Sequence, residues 1–142
     1  MHILDTICRS KRLEIARQKE AVPLSELKEI LHSQRGLQVK SAMTNANREK
    51  ISFKQALAHS RSGIIAEFKR KSPAKGWIYP DADVAKVVQS YEAAGAAAIS
   101  CLTDEPFFGG SFTDFEKARE TVRQIPLLRK DFILDEYQIY QS

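Results

Sequence analysis

Cysteine is nearly absent from these 142 residues. Cys8 and Cys101 stand apart, with neither metal-ligand spacing nor the density of a disulfide scaffold, so a reducing compartment, the cytoplasm, is the expectation. No apolar stretch approaches the ~18 residues that span a bilayer, and the first residues lack the apolar run of a secretion signal. No membrane partner is expected. The three histidines, His2, His32 and His59, fall at no ligand spacing and read as surface residues, which leaves no metal site in view. A strand–GxGxxG–helix fingerprint is missing too. The adjacent glycines Gly109 and Gly110 in "FFGGS" therefore read as permission for a tight loop rather than as a phosphate cradle.

What is present describes an ordinary globular chain. Hydrophobic residues make up 43% and charged residues 28%, enough of each for a core and a solvated surface. The net charge of +4 is uneven: residues 1–60 hold 11 Lys and Arg against 6 Asp and Glu, residues 61–142 hold 11 against 12. A basic segment is one route to nucleic-acid binding. Here the cations alternate with acids, as in Glu26-Leu27-Lys28-Glu29, which describes a solvated helix face, and no nucleic-acid partner is expected.

The chain divides near residue 61, giving a helical segment over 1–60 and a second region over 61–142. Leu4, Cys8, Leu13 and Ile15 predict an amphipathic helix within 2–20. Ser25 opens a second, at 24–33, which Gly36 ends. Residues 36–51 read as loop, with Asn45 and Asn47 favouring turns, and Ser52 caps a further helical turn. After residue 61 the pattern becomes strand, helix, strand, helix, strand. Strands are expected near 63–69, 97–102 and 126–131, the last with Pro126 at its start. Asp81 or Asp83 caps a helix over 82–94 carrying Val84, Val87, Val88, Tyr91 and Ala94, and Gly95 follows it. Ser111 and Asp114 open another helix, and "LDEYQIYQS" begins one more.

Ile65, Ala98 and Leu128 recur at the βα repeat length, which predicts one parallel sheet. A full (β/α)₈ barrel takes about 250 residues, so this chain reads as an α/β protein of that class: a helical extension plus about three βα units. Strand alternation puts Glu67 and Lys69 on one face with Ile65, and Leu128, Lys130 and Phe132 on one face of the third strand. Two readings stay open for these charges. They are solvated strand ends, or they line the mouth of a barrel, where functional groups gather at the C-terminal ends of the strands.

"IIAEFKRKSPAKG", "LTDEPFFGGS" and "LLRKDFILDEYQIY" resemble, in order and spacing, the first three βα segments of the indole-3-glycerol phosphate synthases. These are (β/α)₈ enzymes of tryptophan biosynthesis with an extra helical segment at the N-terminus. The resemblance is close over residues 62–140 and one of character before that. It implies a carboxy-lyase, a carbon–carbon lyase that closes the indole ring of 1-(2-carboxyphenylamino)-1-deoxyribulose 5-phosphate with loss of CO2 and water, using no cofactor. Ring closure needs a proton delivered to the substrate carbonyl oxygen as the aromatic carbon attacks it, and a lysine ammonium can supply one.

By the resemblance Lys130 is that general acid, Lys69 holds the anionic substrate and assists, and Glu67 is the carboxylate that orients Lys69. Opposite charges at this range keep both ionised. Ser72 and Pro73 match a loop that closes over the substrate, and Phe108 and Phe132 match aromatic walls, with ordinary core packing the alternative for each ring. The family's second catalytic glutamate, a later asparagine and serine, and its phosphate site belong to later strands. The expectation is therefore an N-terminal portion that is inactive alone. Two alternatives remain: a sugar-phosphate isomerase barrel, and a non-catalytic half-barrel that self-associates through its exposed sheet edge.

Overall fold

The computed structural model describes the backbone of residues 2–42 and 52–142, and side chains over 2–33 and 52–142. The expected turn at Asn45 and Asn47 lies outside the described residues. Two compact units result, one from residues 1–49 with 132–142 and one from residues 50–131. Neither boundary coincides with residue 61.

In the first unit, α1 (Ile3–Ala21) and α2 (Leu24–Ala42) are each 19 residues long. The helix expected over 2–20 is there, but it buries a different face. Ile7, Lys11 and Ile15 are the buried residues, whereas Leu4 and Leu13 are exposed. A strict i, i+4, i+8 stripe wins over the looser apolar set, and Lys11 lies within it, bonded to Glu14 at 2.7 Å. The second helix also departs from expectation. Ser25 sits inside its first turn and the Pro23 carbonyl accepts from the Leu27 amide, so proline stands at the entrance. Gly36 does not end the helix, and residues 36–42 are helical rather than loop. A glycine costs a helix interior only about 1 kcal/mol against alanine, which is not enough to stop one.

The short α7 (Glu136–Gln141) completes this unit. Asp135 and Gln138 form a reciprocal capping box. Tyr137 donates from its hydroxyl to the carbonyls of Gln18 (3.1 Å) and Val22 (3.0 Å). The Val22 carbonyl at the end of α1 thereby gains a partner, and the Gln18 carbonyl, which already accepts from the Val22 amide, gains a second. Lys19 pairs with Asp135 at 2.7 Å.

The second unit is built on small apolar residues. β4 (Ala98–Leu102) is buried at every position. It pairs in parallel with β1 (Ile65–Phe68) on one side and β5 (Leu127–Lys130) on the other, giving the order β1-β4-β5. Two connecting helices, α4 (Val84–Ala93) and α6 (Phe112–Thr121), are capped by Asp83 and Ser111 as the sequence predicts. Phe68, Ile99 and Cys101 from the sheet pack with Val84, Val88, Ala118 and Val122, and Leu127 joins them. The N-terminal α3 (Phe53–His59) is capped by Ser52, again as expected.

The strands are shorter than their apolar runs. β1 ends at Phe68, so Lys69 follows it directly; β5 ends at Lys130, so Phe132 lies beyond the strand rather than on its face. A two-stranded antiparallel ribbon, β2 (Lys71–Ser72) with β3 (Gly76–Trp77), and the one-turn α5 (Glu105–Phe108) occupy segments expected to be loops.

The core fixes the stability of this unit. Ile99→Ala should lower the unfolding free energy by about 2–5 kcal/mol, while Tyr79→Ala, at an exposed position, should change it by no more than about 0.5 kcal/mol. Urea denaturation followed by circular dichroism separates the two. Equal losses would contradict the described core.

Candidate functional site

The parallel register sorts the sheet residues into two faces. Glu67 lies level with Ser100 and Leu128, and Leu102 lies level with Lys130. Ile65, Glu67, Ala98, Ser100, Leu102, Leu128 and Lys130 therefore share the face opposite the α4–α6 core. Ile65 and Leu128 on that face are each 43% exposed.

Three ionisable groups meet there at the C-terminal strand ends. Glu67 accepts from Lys69 through Oε1 at 2.6 Å and from Lys130 through Oε2. The carboxylate thus bridges two ammonium groups from different strands. Burial pushes the Glu67 carboxyl up, but the hydrogen bonds from Lys130 and Lys69 outweigh it, and the net direction is downward. Lys130 keeps half its side chain open to solvent. The group therefore offers a fixed anion with two proton-bearing cations facing open space.

The remaining expected residues belong to other elements. Ser72 is half-buried in β2, and its hydroxyl accepts from the Lys75 amide at 3.1 Å, closing the turn that carries the exposed Pro73. Phe108 ends α5, half-buried. Phe132 belongs to the first unit, where its carbonyl accepts from Gln138.

Two polar clusters escaped the sequence reading. Arg70 makes a bidentate pair with Asp114, at 2.5 and 2.9 Å, and also donates to the carbonyls of Ala82 and Gly109. Its own carbonyl accepts from the Ile78 and Tyr79 amides. One residue thus ties the β2–β3 ribbon to the start of α6. Trp77, Lys71, Glu105 and Pro106 line an open cleft of about 660 Å3 beside it. "FFGGS" fits here for steric reasons: Gly109 is left-handed at φ +63° against the Trp77 ring, and a Cβ at Gly110 would collide with the Leu102 carbonyl. The second cluster joins Thr103, Arg129 and Asp131. Strand alternation did put Arg129 opposite Lys130, but no pattern signalled its burial.

A family model for indole-3-glycerol phosphate synthase matches residues 4–142. The chain belongs to that family. An indole-3-glycerol phosphate synthase of Bacteroides thetaiotaomicron is 49% identical over 140 residues, covering 99% of this chain and 48% of the relative. One from Neisseria gonorrhoeae is 43% identical over 140 residues, covering 99% and 50%. Another, from Clostridium acetobutylicum, is 38% identical over 140 residues, covering 99% and 48%. The chain spans about half the length of the curated relatives it matches. The family is one of TIM barrels, and the α/β chain with its three-stranded parallel sheet accords with that class. Among the described residues no helix is long and apolar enough to cross a membrane, and no cluster of His, Cys, Asp and Glu is arranged to hold a metal ion.

Asp114 provides the test of these electrostatics. Burial raises its carboxyl, but hydrogen bonds from Arg70 and Ser111 outweigh this and hold it below 3.8. A depressed folded value contributes stability above the unfolded value that is lost as pH falls through the folded one. Asp114→Asn should therefore be less stable than the parent at neutral pH, with the gap narrowing as pH drops below about 4. Thermal melts across this range report the gap. A gap that stays constant would contradict the ion pair.

Proposed function

We propose that residues 1–60 are the helical extension and residues 61–142 the first three strands of an indole-3-glycerol phosphate synthase barrel. The proposed activity is the family's: closure of the indole ring of 1-(2-carboxyphenylamino)-1-deoxyribulose 5-phosphate. The observation that carries this reading is the Glu67 carboxylate shared by Lys69 and Lys130 at the strand ends.

Lys130 is the general acid. As the aromatic carbon bearing the carboxylate attacks the sugar carbonyl carbon, the carbonyl π bond breaks and its oxygen takes a proton from the Lys130 ammonium. Loss of CO2 returns an electron pair to the ring. The new hydroxyl then takes up a proton and leaves as water while a base removes a proton from the neighbouring methylene carbon, and the C=C bond so formed completes the indole. Glu67 aims both lysines. About a third of the Lys69 side chain stays open for the substrate's anionic groups, and half of Lys130 for the carbonyl oxygen. Ser72 and Pro73 belong to the closing loop, and Phe108 and Phe132 are aromatic walls for the anthranilate ring. No cofactor takes part in the proposed chemistry. The substrate is a small anionic sugar phosphate, and the enzyme works in the cytoplasm.

The chain by itself is expected not to turn this substrate over, because the proton acceptor and the phosphate grip of the family lie on later strands. A chimera tests the assignment: residues 1–142 joined to the second half of the Bacteroides relative. It should form indole-glycerol phosphate, and Lys130→Ala within it should lower turnover by about 10²–10⁴-fold. Unchanged turnover with weaker substrate affinity would make Lys130 a binding residue only.

The exposed Ile65 and Leu128 favour a second reading for the chain alone, self-association through its sheet. Sedimentation should then show species larger than a monomer. A monomer at all concentrations would contradict it.

A further inference from the structure

Lys130 is the last residue of an edge strand, and it bonds a carboxylate two strands away. Between β5 and β1 lies β4, so the ammonium bridges a span of roughly 9–10 Å of sheet. A long, flexible side chain reaches that far in one direction only if its root is held. The backbone ladder to β4 anchors it in part: Lys130 pairs with Leu102, and its carbonyl accepts from the Thr103 amide at 3.1 Å. Beyond Lys130 the ladder stops, which leaves the strand end freedom to twist about its axis.

The residues on either side of Lys130 remove that freedom. Arg129 and Asp131 point to the opposite side of the strand from Lys130, and their side chains are only 6% and 1% exposed. Arg129 donates to Asp131 Oδ2 at 3.1 Å and to Thr103 Oγ1 at 3.2 Å, while the Thr103 hydroxyl donates to the same Asp131 oxygen at 2.7 Å. These three groups close a triangle that spans the ends of β4 and β5. Beneath it, the Arg129 guanidinium lies 4.3 Å from the centre of the Phe112 ring, on the first residue of α6. Buried ion pairs of this kind add little net stability, so their geometry is the more informative property.

We propose that Thr103, Arg129 and Asp131 are positioning residues for Lys130: their network fixes the rotation of β5 at its end and so keeps the ammonium on the Glu67 carboxylate. None of the three faces the substrate. Their catalytic meaning rests on the reading of Lys130 as general acid, whereas the geometry stands without it. A misplacement of 1 Å at a reacting group costs about 10²-fold in rate, so an acid carried on a long, flexible side chain needs such a clamp.

The test is the titration of Glu67, followed by the 13C resonance of its labelled side-chain carboxyl in the chain as it stands. The charged groups that face this carboxyl are Lys69 and Lys130, and the Tyr91 hydroxyl donates to the Glu67 main-chain carbonyl. Thr103→Val, which removes the hydroxyl and keeps the shape, should move the Glu67 midpoint up toward the ordinary 4.5. Thr103→Ser should restore the parent midpoint, and Asp131→Asn should act like Thr103→Val. An unchanged midpoint in folded Thr103→Val would overturn the proposal. Failure of both Thr103→Val and Asp131→Asn to fold would assign the cluster to stability alone and overturn it equally. In the chimera, Thr103→Val should lower kcat by up to about 10²-fold and leave KM within about twofold. If Lys130→Ala leaves turnover untouched, the general-acid reading fails while the Glu67 titration still decides the positioning.

Discussion

One carboxylate organises the open face of the sheet. Glu67 reaches Lys69 on its own strand end and Lys130 from the far side of β4, so its two oxygens fix the end of β1 relative to that of β5. The bridge is possible only because the strands are parallel and in register. Side chains that share a level share a face, and the strand ends that carry charge all lie at the same side. An antiparallel pairing would have sent one lysine to the opposite end. The chemistry proposed for this chain therefore depends on topology before it depends on any single residue.

The same alternation divides labour between the two faces. Toward α4 and α6 the sheet presents Phe68, Ile99, Cys101 and Leu127, which close a core with Val84, Val88, Ala118 and Val122. Burial there pushes the Cys101 thiol up to about 12, which makes it a packing residue with no thiolate character at neutral pH. Polar groups on this side are tied at the strand ends instead: Arg70 to Asp114, and Arg129 to Asp131 and Thr103. Each pair anchors a segment next to a lysine on the open face. Structural salt bridges and candidate catalytic lysines thus alternate along the chain, as Lys69-Arg70 and Arg129-Lys130.

Much of this was legible in the sequence. The βα spacing of Ile65, Ala98 and Leu128 foretold the parallel sheet, and capping residues such as Ser52, Asp83 and Ser111 marked their helices. Alternation put Glu67 with Lys69 on one face and Lys130 on a face of the third strand, but left open whether these charges are solvated strand ends or line one mouth. Other features depend on tertiary contacts that local patterns do not encode. Lys11 is buried because it lies on the stripe of Ile7 and Ile15, although its type suggests exposure. Gly36 is carried within α2 although glycine favours a helix end. Phe132 lost its strand position because β5 stops at Lys130, a boundary that apolar content cannot fix. Arg70 and Asp114 find each other across 44 residues, which no short motif reports.

The central claim is that one carboxylate holds both lysines, and the side-chain ammonium resonances of 15N-labelled lysine read this directly. On Glu67→Gln, the signals of Lys69 and Lys130 should both shift and broaden as their bonds weaken. Lys117, which pairs with Asp83 elsewhere in the same unit, should not respond. A response from Lys69 alone would place Lys130 away from Glu67 and contradict the account.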